Sequence, residues 1–169
     1  MVRIAKSCSV ILVVVSFLLT CSTVFGAYEY EDPDGRFIAD VPDGWRTQTF
    51  NAGGRSKAAF YGKVSSIVVV AEDYSENAQI TDTERDRVRE NMVSSMRQKL
   101  GIEITDVSES DTTVDGASAW IYSFRVTKDD TLMTMALFIK SGCLYSVTIS
   151  TKTDIDKIIS AFLEKFECR

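Results

Sequence analysis

Alternating apolar and polar residues run through most of the chain beyond residue 35 and predict a series of β-strands. In the first half, the pattern covers residues 36–41, 45–50, 58–63 and 67–71, and a Pro42-Asp43-Gly44 turn joins the first two segments as a hairpin. The segment 67–71 is wholly apolar, so we expect it to be buried on both faces. In the second half, residues 102–110, 119–128, 132–140 and 143–150 predict four more strands. Short turns between these segments favour antiparallel pairing.

Two segments repeat their apolar residues at helical spacing instead. Residues 82–100 carry an apolar residue every fourth position, with a Thr81/Glu84 capping box before them and Gly101 after them. Residues 154–166 have the same periodicity and predict a C-terminal helix. Antiparallel strands with one helix in the middle and one at the end predict an α+β sandwich.

The N-terminus has the order of a secretory signal peptide over residues 1–26. Arg3 and Lys6 precede an apolar run over residues 10–19, and small and polar residues follow. The run is about half the ~20 residues that a membrane-spanning helix needs. Two cleavage schemes stay open: cleavage after Gly26 would release a soluble protein, and a lipoprotein signal would attach lipid to Cys21. Both schemes predict export to the cell envelope, as a secreted or periplasmic protein, with residues 27–169 as a single domain.

The charge balance argues against a polyanionic partner. The chain has 19 basic and 24 acidic residues, and removal of Arg3 and Lys6 would leave a net charge of about −7 on the mature protein. Clustered Lys and Arg are needed to bind a phosphate backbone. We therefore expect no binding to nucleic acid, and contact with a membrane only if Cys21 is lipidated.

Two of the four cysteines, Cys143 and Cys168, lie in the mature part, which favours a disulfide in an exported chain. A strand from Cys143 would run roughly 23 Å, and a helix ending near Cys168 would run back about 21 Å. The two lengths nearly cancel if the helix packs antiparallel on the strand, so Cys168 is predicted close to Cys143. Their bond would contribute roughly 3 kcal/mol; the alternative is a buried free Cys143 and a loose Cys168.

The residues that most enzymes use are missing or scattered. The chain has no histidine, which removes the usual general base and imidazole metal ligands. Its carboxylates fall mostly in turns, such as Asp32 and Asp34, without a sign of burial. We predict no catalytic residue, no cofactor and no metal site. Trp45, directly after a turn, is the one candidate for lining a ligand pocket.

Three stretches together resemble the PsbP-like family, which includes the extrinsic PsbP subunit of photosystem II and bacterial envelope proteins of the DcrB type. They are residues 37–45, ending in Pro42-Asp43-Gly44-Trp45, residues 114–120, and residues 144–148 with the helix that follows them. The resemblance implies a central antiparallel sheet with helices packed on both faces, an α/β/α sandwich. It transfers no functional residue, because metal binding in photosystem relatives relies partly on histidines.

The sequence thus predicts an exported, non-catalytic accessory or binding protein of the cell envelope. Its partner would be an envelope protein or a small molecule. A metal-binding or hydrolytic module built on carboxylates, and a membrane-tethered lipoprotein, are the alternatives.

Overall fold

The computed structural model describes residues 27–52, 55–75 and 78–169, so the predicted signal peptide and Cys21 lie outside the described residues. Over these ranges the chain forms two antiparallel sheets and two helices. The prediction of an α+β fold is confirmed, whereas several strand bounds differ from the predicted ones.

The large sheet has seven strands in the order β3-β4-β5-β9-β8-β7-β6. Its strands are β3 (Arg46–Ala52), β4 (Arg55–Tyr61), β5 (Ser65–Asp73), β6 (Ile104–Val114), β7 (Ala117–Val126), β8 (Thr131–Lys140) and β9 (Cys143–Thr151). Sequential hairpins build each half of this sheet, and β5 pairs with β9 to join the halves. β3 and β6 therefore form its two edges.

A small sheet is formed by β1 (Ala27–Glu31), β2 (Phe37–Pro42) and the two-residue strand β10 (Glu167–Cys168). β2 lies in the middle, with Cys168 opposite Phe37. The predicted hairpin between residues 36–41 and 45–50 is wrong, because the turn after Pro42 carries the chain from the small sheet into the large one. β1 and β10 were not predicted.

Helix α1 (Asp82–Leu100) has the predicted bounds. Thr81 Oγ1 accepts a hydrogen bond from the Glu84 backbone N–H, and the Glu84 carboxylate accepts from the Thr81 backbone N–H. Gly101 ends the helix at φ 62°, a left-handed conformation that glycine adopts without cost. Helix α2 (Ile155–Glu164) is capped by the Asp154 carboxylate and is shorter than predicted.

Neighbouring residues along the central strands belong to two separate apolar clusters. In β7, Trp120, Tyr122, Phe124 and Val126 lie in a cluster with side chains of α1 packed against it. In β8 and β9, every second residue lies in a second cluster. Phe138 and Tyr145 are examples, and Phe162 and Phe166 belong to the same cluster. Successive side chains of a strand point to opposite faces, so the two clusters use opposite faces of the large sheet.

Strand β5 was expected to be buried on both faces, but its burial alternates. Ile67, Val69 and Ala71 are buried in the second cluster, whereas Val68 and Val70 are only half-buried. The face of the sheet that carries Val68 and Val70 is thus partly open at the β3–β5 end.

Candidate functional site

The residues with the most unusual environments meet where the small sheet lies against the large one. Arg36, just before β2, is at the centre. Its guanidinium donates to Ser56 Oγ at 3.2 Å, to the Ala71 carbonyl at 3.2 Å and to Asp73 Oδ1 at 2.9 Å. Its carbonyl accepts from the Tyr145 hydroxyl at 2.7 Å. We call this site the Arg36 junction. It consists of Arg36, its partners Ser56, Ala71 and Asp73, and the carboxylates Asp32 and Asp34, which contact Ser56.

Two carboxylates share one hydroxyl at the junction. Ser56 Oγ lies 3.0 Å from Asp32 Oδ2 and 2.9 Å from Asp34 Oδ2. A serine has a single hydroxyl hydrogen, so it can donate to only one of the two at a time. The Arg36 guanidinium donates to the same Ser56 hydroxyl, so this one side chain connects the arginine to both carboxylates.

Asp32 is the most deeply buried carboxylate described, with 2% of its surface exposed. It begins a tight turn in which the Gly35 N–H donates to the Asp32 carbonyl at 2.7 Å, and its Oδ2 also accepts from the Arg36 backbone N–H at 3.2 Å. Among the described residues, Asp32 Oδ1 and the Tyr30 hydroxyl are buried without a hydrogen-bond partner. Burial, followed by the charge of Asp32, raises the pKa of Tyr30 to about 12, so this phenol stays neutral at physiological pH.

The Tyr145 hydroxyl links the junction to Cys143 and Cys168. Burial first, and then the neighbouring thiols of Cys168 and Cys143, raise the pKa of Tyr145 far above its ordinary value. Cys143 is buried at the start of β9, and Cys168 is half-buried in β10. The fold thus brings both predicted site cysteines to the same tyrosine.

An ion pair fixes the backbone beside Cys168. Asp115 Oδ2 accepts from the Cys168 backbone N–H at 2.9 Å and pairs with Lys140 Nζ at 2.6 Å. The hydrogen bond from Lys140, together with the Cys168 N–H, lowers the pKa of Asp115. Burial, and then the charge of Asp115, raise the pKa of the Cys168 thiol to about 12. A thiol with so high a pKa is a weak nucleophile at neutral pH, since the thiolate is the reactive form.

Both cysteines are free thiols in the structure. Their disulfide therefore stays a prediction. Phe166, which follows α2, contacts Tyr145 near the start of β9, as expected for a helix that returns along the strand. The short pairing of β10 with β2 then positions Cys168 opposite Phe37.

Trp45 packs at the margin of the second apolar cluster. A Cβ added at Gly62 would lie 2.7 Å from Trp45 Cε2, so only glycine permits this approach of the indole. Trp45 does not line either of two surface depressions that lie beside α1 and its C-terminus and that both include Arg97. Pocket lining by Trp45 stays a prediction.

Within residues 27–52, 55–75 and 78–169, no three carboxylate or thiol side chains are grouped so that they could hold a metal ion. None of the helices in this part of the chain is both long and apolar enough to cross a membrane.

No local pattern indicated that Asp32 would be buried, and the expectation that it lies in an exposed turn is wrong. Its turn is present, but Ser56 and Arg36 cover the carboxylate from strand β4 and from the start of β2. The one local signal is the Asp-Pro-Asp-Gly-Arg order of residues 32–36, in which a basic residue directly follows two carboxylates.

Comparison with known proteins places this fold in a family. Two antiparallel sheets and two helices in this order define an α+β class of protein, and the family model for PsbP matches residues 26–166. The chain belongs to the PsbP family. No curated protein matches it in sequence.

Solved structures share the fold at low sequence identity. The cyanobacterial PsbP (CyanoP) of Synechocystis is 15% identical, with a TM-score of 0.63 over 89% of this chain and 98% of that chain. The Ran-binding protein Mog1p of Saccharomyces cerevisiae is 12% identical, with a TM-score of 0.52 over 85% of this chain and 96% of that one. A protein of Bacteroides thetaiotaomicron is 14% identical, with a TM-score of 0.54, and this chain spans 49% of its length.

Proposed function

We propose that this protein is an exported, non-catalytic accessory protein of the cell envelope that acts by binding a partner. The observation that carries the proposal is membership of the PsbP family over residues 26–166, a family whose namesake is an extrinsic subunit of a larger assembly. Mog1p, which has the same fold, is a Ran-binding protein. A protein partner is therefore favoured over a small molecule.

The chemistry of the Arg36 junction supports a structural role rather than catalysis. The Arg36 side chain is 14% exposed, and its donors are directed at protein acceptors on β4 and β5. A general base or nucleophile must instead reach a substrate. We infer that the junction fastens the small sheet and the C-terminus onto the large sheet.

We also infer the α/β/α arrangement that the family resemblance implies, with residues 27–169 as one domain. Val88, Met92 and Met96 of α1 pack against the first apolar cluster, and Phe162 and Leu163 of α2 lie in the second. Because these clusters use opposite faces of the large sheet, a helix on each face is the arrangement that accounts for both.

The proposal of export is based on the sequence of residues 1–26. An exported chain reaches an oxidising compartment, so we also propose the disulfide between Cys143 and Cys168. Intact-mass analysis of the protein purified from its native envelope tests both. We expect a chain that begins at Ala27 and gains two hydrogens on reduction. A mass that begins at Cys21 and includes lipid would make it a tethered lipoprotein, and an unprocessed Met1 would contradict export.

Cross-linking in intact cells, followed by affinity purification and mass spectrometry, tests the binding role. The expected result is a specific envelope protein that is enriched over a strain expressing an unrelated exported domain. Turnover of generic esterase, phosphatase or glycosidase substrates that is abolished by one carboxylate substitution would contradict the proposal.

A further inference from the structure

Basic residues are concentrated in one segment of this acidic chain. Residues 44–71 contain Arg46, Arg55, Lys57 and Lys63 and no Asp or Glu, although the whole chain has a net charge of −5. The segment includes β3 and β4, which form one end of the large sheet. These two strands therefore carry basic residues and no acidic ones, in contrast to the chain as a whole.

The register of β3 and β4 places basic and aromatic side chains on the same face. Arg46 pairs with Tyr61 and Phe50 pairs with Lys57, and residues two or four apart on a strand share a face. Lys57 Nζ lies 5.6 Å from the centroid of the Phe50 ring. Phe50 is 48% exposed and Tyr61 is 38% exposed. We call these four residues the basic hairpin face.

The charges of this face are free to bind a partner. Arg55 already pairs with Glu72 on β5, but Arg46 and Lys57 have no carboxylate within ion-pair distance in the described part of the chain. Exposed Phe50 and Tyr61 add apolar contact area beside these charges, and aromatic residues are enriched in the interfaces of proteins.

β3 also presents a sheet edge with which no further described strand pairs, although Tyr28 of β1 hydrogen-bonds to Thr47 on the side of β3 opposite the basic hairpin face. Among the described strands it pairs only with β4, in a register without a bulge, and its residues 46–50 are all exposed. Edge strands are usually protected by bulges, inward-pointing charges or covering elements, because their free N–H and C=O groups can pair with another chain. A seven-residue regular edge is suited to strand addition.

The opposite edge of the sheet shows the protection that β3 lacks. The β6–β7 register shifts between Thr105 and Ser108. The acidic side chains of β6 are also engaged from within the chain, since Arg85 pairs with Asp111 and Arg89 pairs with Glu109. The acidic edge of a second copy is therefore a poor occupant for β3.

We propose that β3 and the basic hairpin face bind an extended acidic segment of a partner protein, which adds to the sheet as a strand along β3. The proposal rests on the proposed function and specifies its surface and the chemistry of its partner. Free backbone groups along β3 favour a peptide, which can pair with them. A nucleic acid or an anionic membrane would be repelled by the acidic remainder of the molecule.

Fluorescence anisotropy tests this with the mature protein and a labelled peptide that alternates Glu with Val and Thr and is long enough to pair with all of β3. We expect saturable binding that weakens at high ionic strength. The double substitution Arg46→Glu and Lys57→Glu should weaken it about tenfold or more. The matched control is Lys128→Glu with Lys157→Glu, which reverses the charge of two exposed residues outside the basic hairpin face. It should change the affinity for the peptide by less than about twofold.

Two control peptides separate the contribution of charge to binding from the contribution of strand pairing. A peptide with Lys in place of Glu, and an acidic peptide N-methylated at alternate residues to block pairing, should both bind at least tenfold more weakly. Equal binding by the charge-reversed protein or by the N-methylated peptide would overturn the proposal. So would tighter binding to RNA or to vesicles containing anionic lipid, or self-association that the charge reversal abolishes.

The same variants distinguish this proposal from the proposed function. If the charge-reversed protein still cross-links to the partner that the wild-type chain captures, the basic hairpin face is refuted and the binding role stands. If the wild-type chain captures no partner but binds the acidic peptide as described, the binding role in the envelope fails while the surface is supported.

Discussion

Removing the Ser56 hydroxyl tests whether the Arg36 junction stabilises the fold. Ser56 is fully buried, and alanine occupies nearly the same volume, so Ser56→Ala deletes hydrogen bonds without opening a large cavity. Among the described residues, the Asp32 carboxylate would keep only the Arg36 backbone N–H, at 3.2 Å. The Arg36 guanidinium would lose an acceptor at the same time.

The expected cost follows from the charge and burial of these groups. A hydrogen bond to a charged group contributes about 1.5–3 kcal/mol, and an unsatisfied buried acceptor costs a similar amount. We therefore expect Ser56→Ala to lower the free energy of unfolding by about 2 kcal/mol. In a domain of this size that corresponds to a melting temperature lower by roughly 7 °C.

Urea denaturation, followed by tryptophan fluorescence and circular dichroism, measures the change. Ser66→Ala is the matched control, because its hydroxyl lies 2.8 Å from Ser150 Oγ between two neutral, half-buried side chains; it should cost less than about 1 kcal/mol. A double-mutant cycle of Ser56→Ala with Asp32→Ala should give a coupling of about 1 kcal/mol or more. A loss no larger than that of Ser66→Ala, or fully additive effects, would refute a stabilising role for the junction.

Three further changes test other features of the fold. Gly62→Ala should cost about 1–3 kcal/mol in urea denaturation and alter the fluorescence of the indole above it, because its Cβ would lie 2.7 Å from Trp45; an unchanged stability would contradict the contact. Thr81→Ala removes the helix cap and should cost about 1 kcal/mol, and loss of more than about 3 kcal/mol would show a role beyond capping. In the reduced protein, the pKa of the Cys168 thiol is raised to about 12. Because the folded protein holds this proton more tightly than the unfolded chain, the contribution of Cys168 to stability is complete below pH ~9 and is lost as the pH rises toward 12. Cys168→Ser should flatten that alkaline decline, and an identical decline in the variant would contradict it.

Helix α1 could be predicted in full because every signal that defines it is local. The Thr81/Glu84 capping box spans four residues, and Gly101 follows the last turn directly. Side chains at positions 88, 92 and 96 lie on one face of any helix, and the packing of α1 against the sheet uses that face.

The arrangement of the first strands could not be read in the same way. A Pro-Asp-Gly turn is compatible with a tight hairpin and with a change of sheet, and the alternation of residues 37–41 and 45–50 is the same in both. Only the partners of β2 decide between them, and one partner is β10, a two-residue strand at the other end of the chain. Two residues are too few to show a period, so β10 has no sequence pattern by which it could be predicted.

Burial of Asp32 escaped prediction for a related reason. A carboxylate in an Asp-Pro-Asp-Gly turn is normally solvated, and the groups that hydrogen-bond it here are the hydroxyl of Ser56, 24 residues away, and the backbone N–H of Arg36. The exposure of the β3 edge likewise depends on residues that are far apart in the sequence. Its residues alternate like those of any strand, and only the order of strands in the sheet shows that no described strand other than β4 pairs with it.

Strand β4 connects the two features that the structure adds to the sequence. Ser56 points toward the second apolar cluster and the Arg36 junction, whereas Lys57, the next residue, belongs to the basic hairpin face. Since β4 is the described partner of β3, the junction fixes the position of the edge that we propose to receive a partner. The two surfaces should nonetheless separate in experiment. Ser56→Ala should lower stability and leave the affinity of the folded protein for the acidic peptide unchanged, whereas Arg46→Glu with Lys57→Glu should lower affinity and leave stability nearly unchanged, because both side chains are exposed.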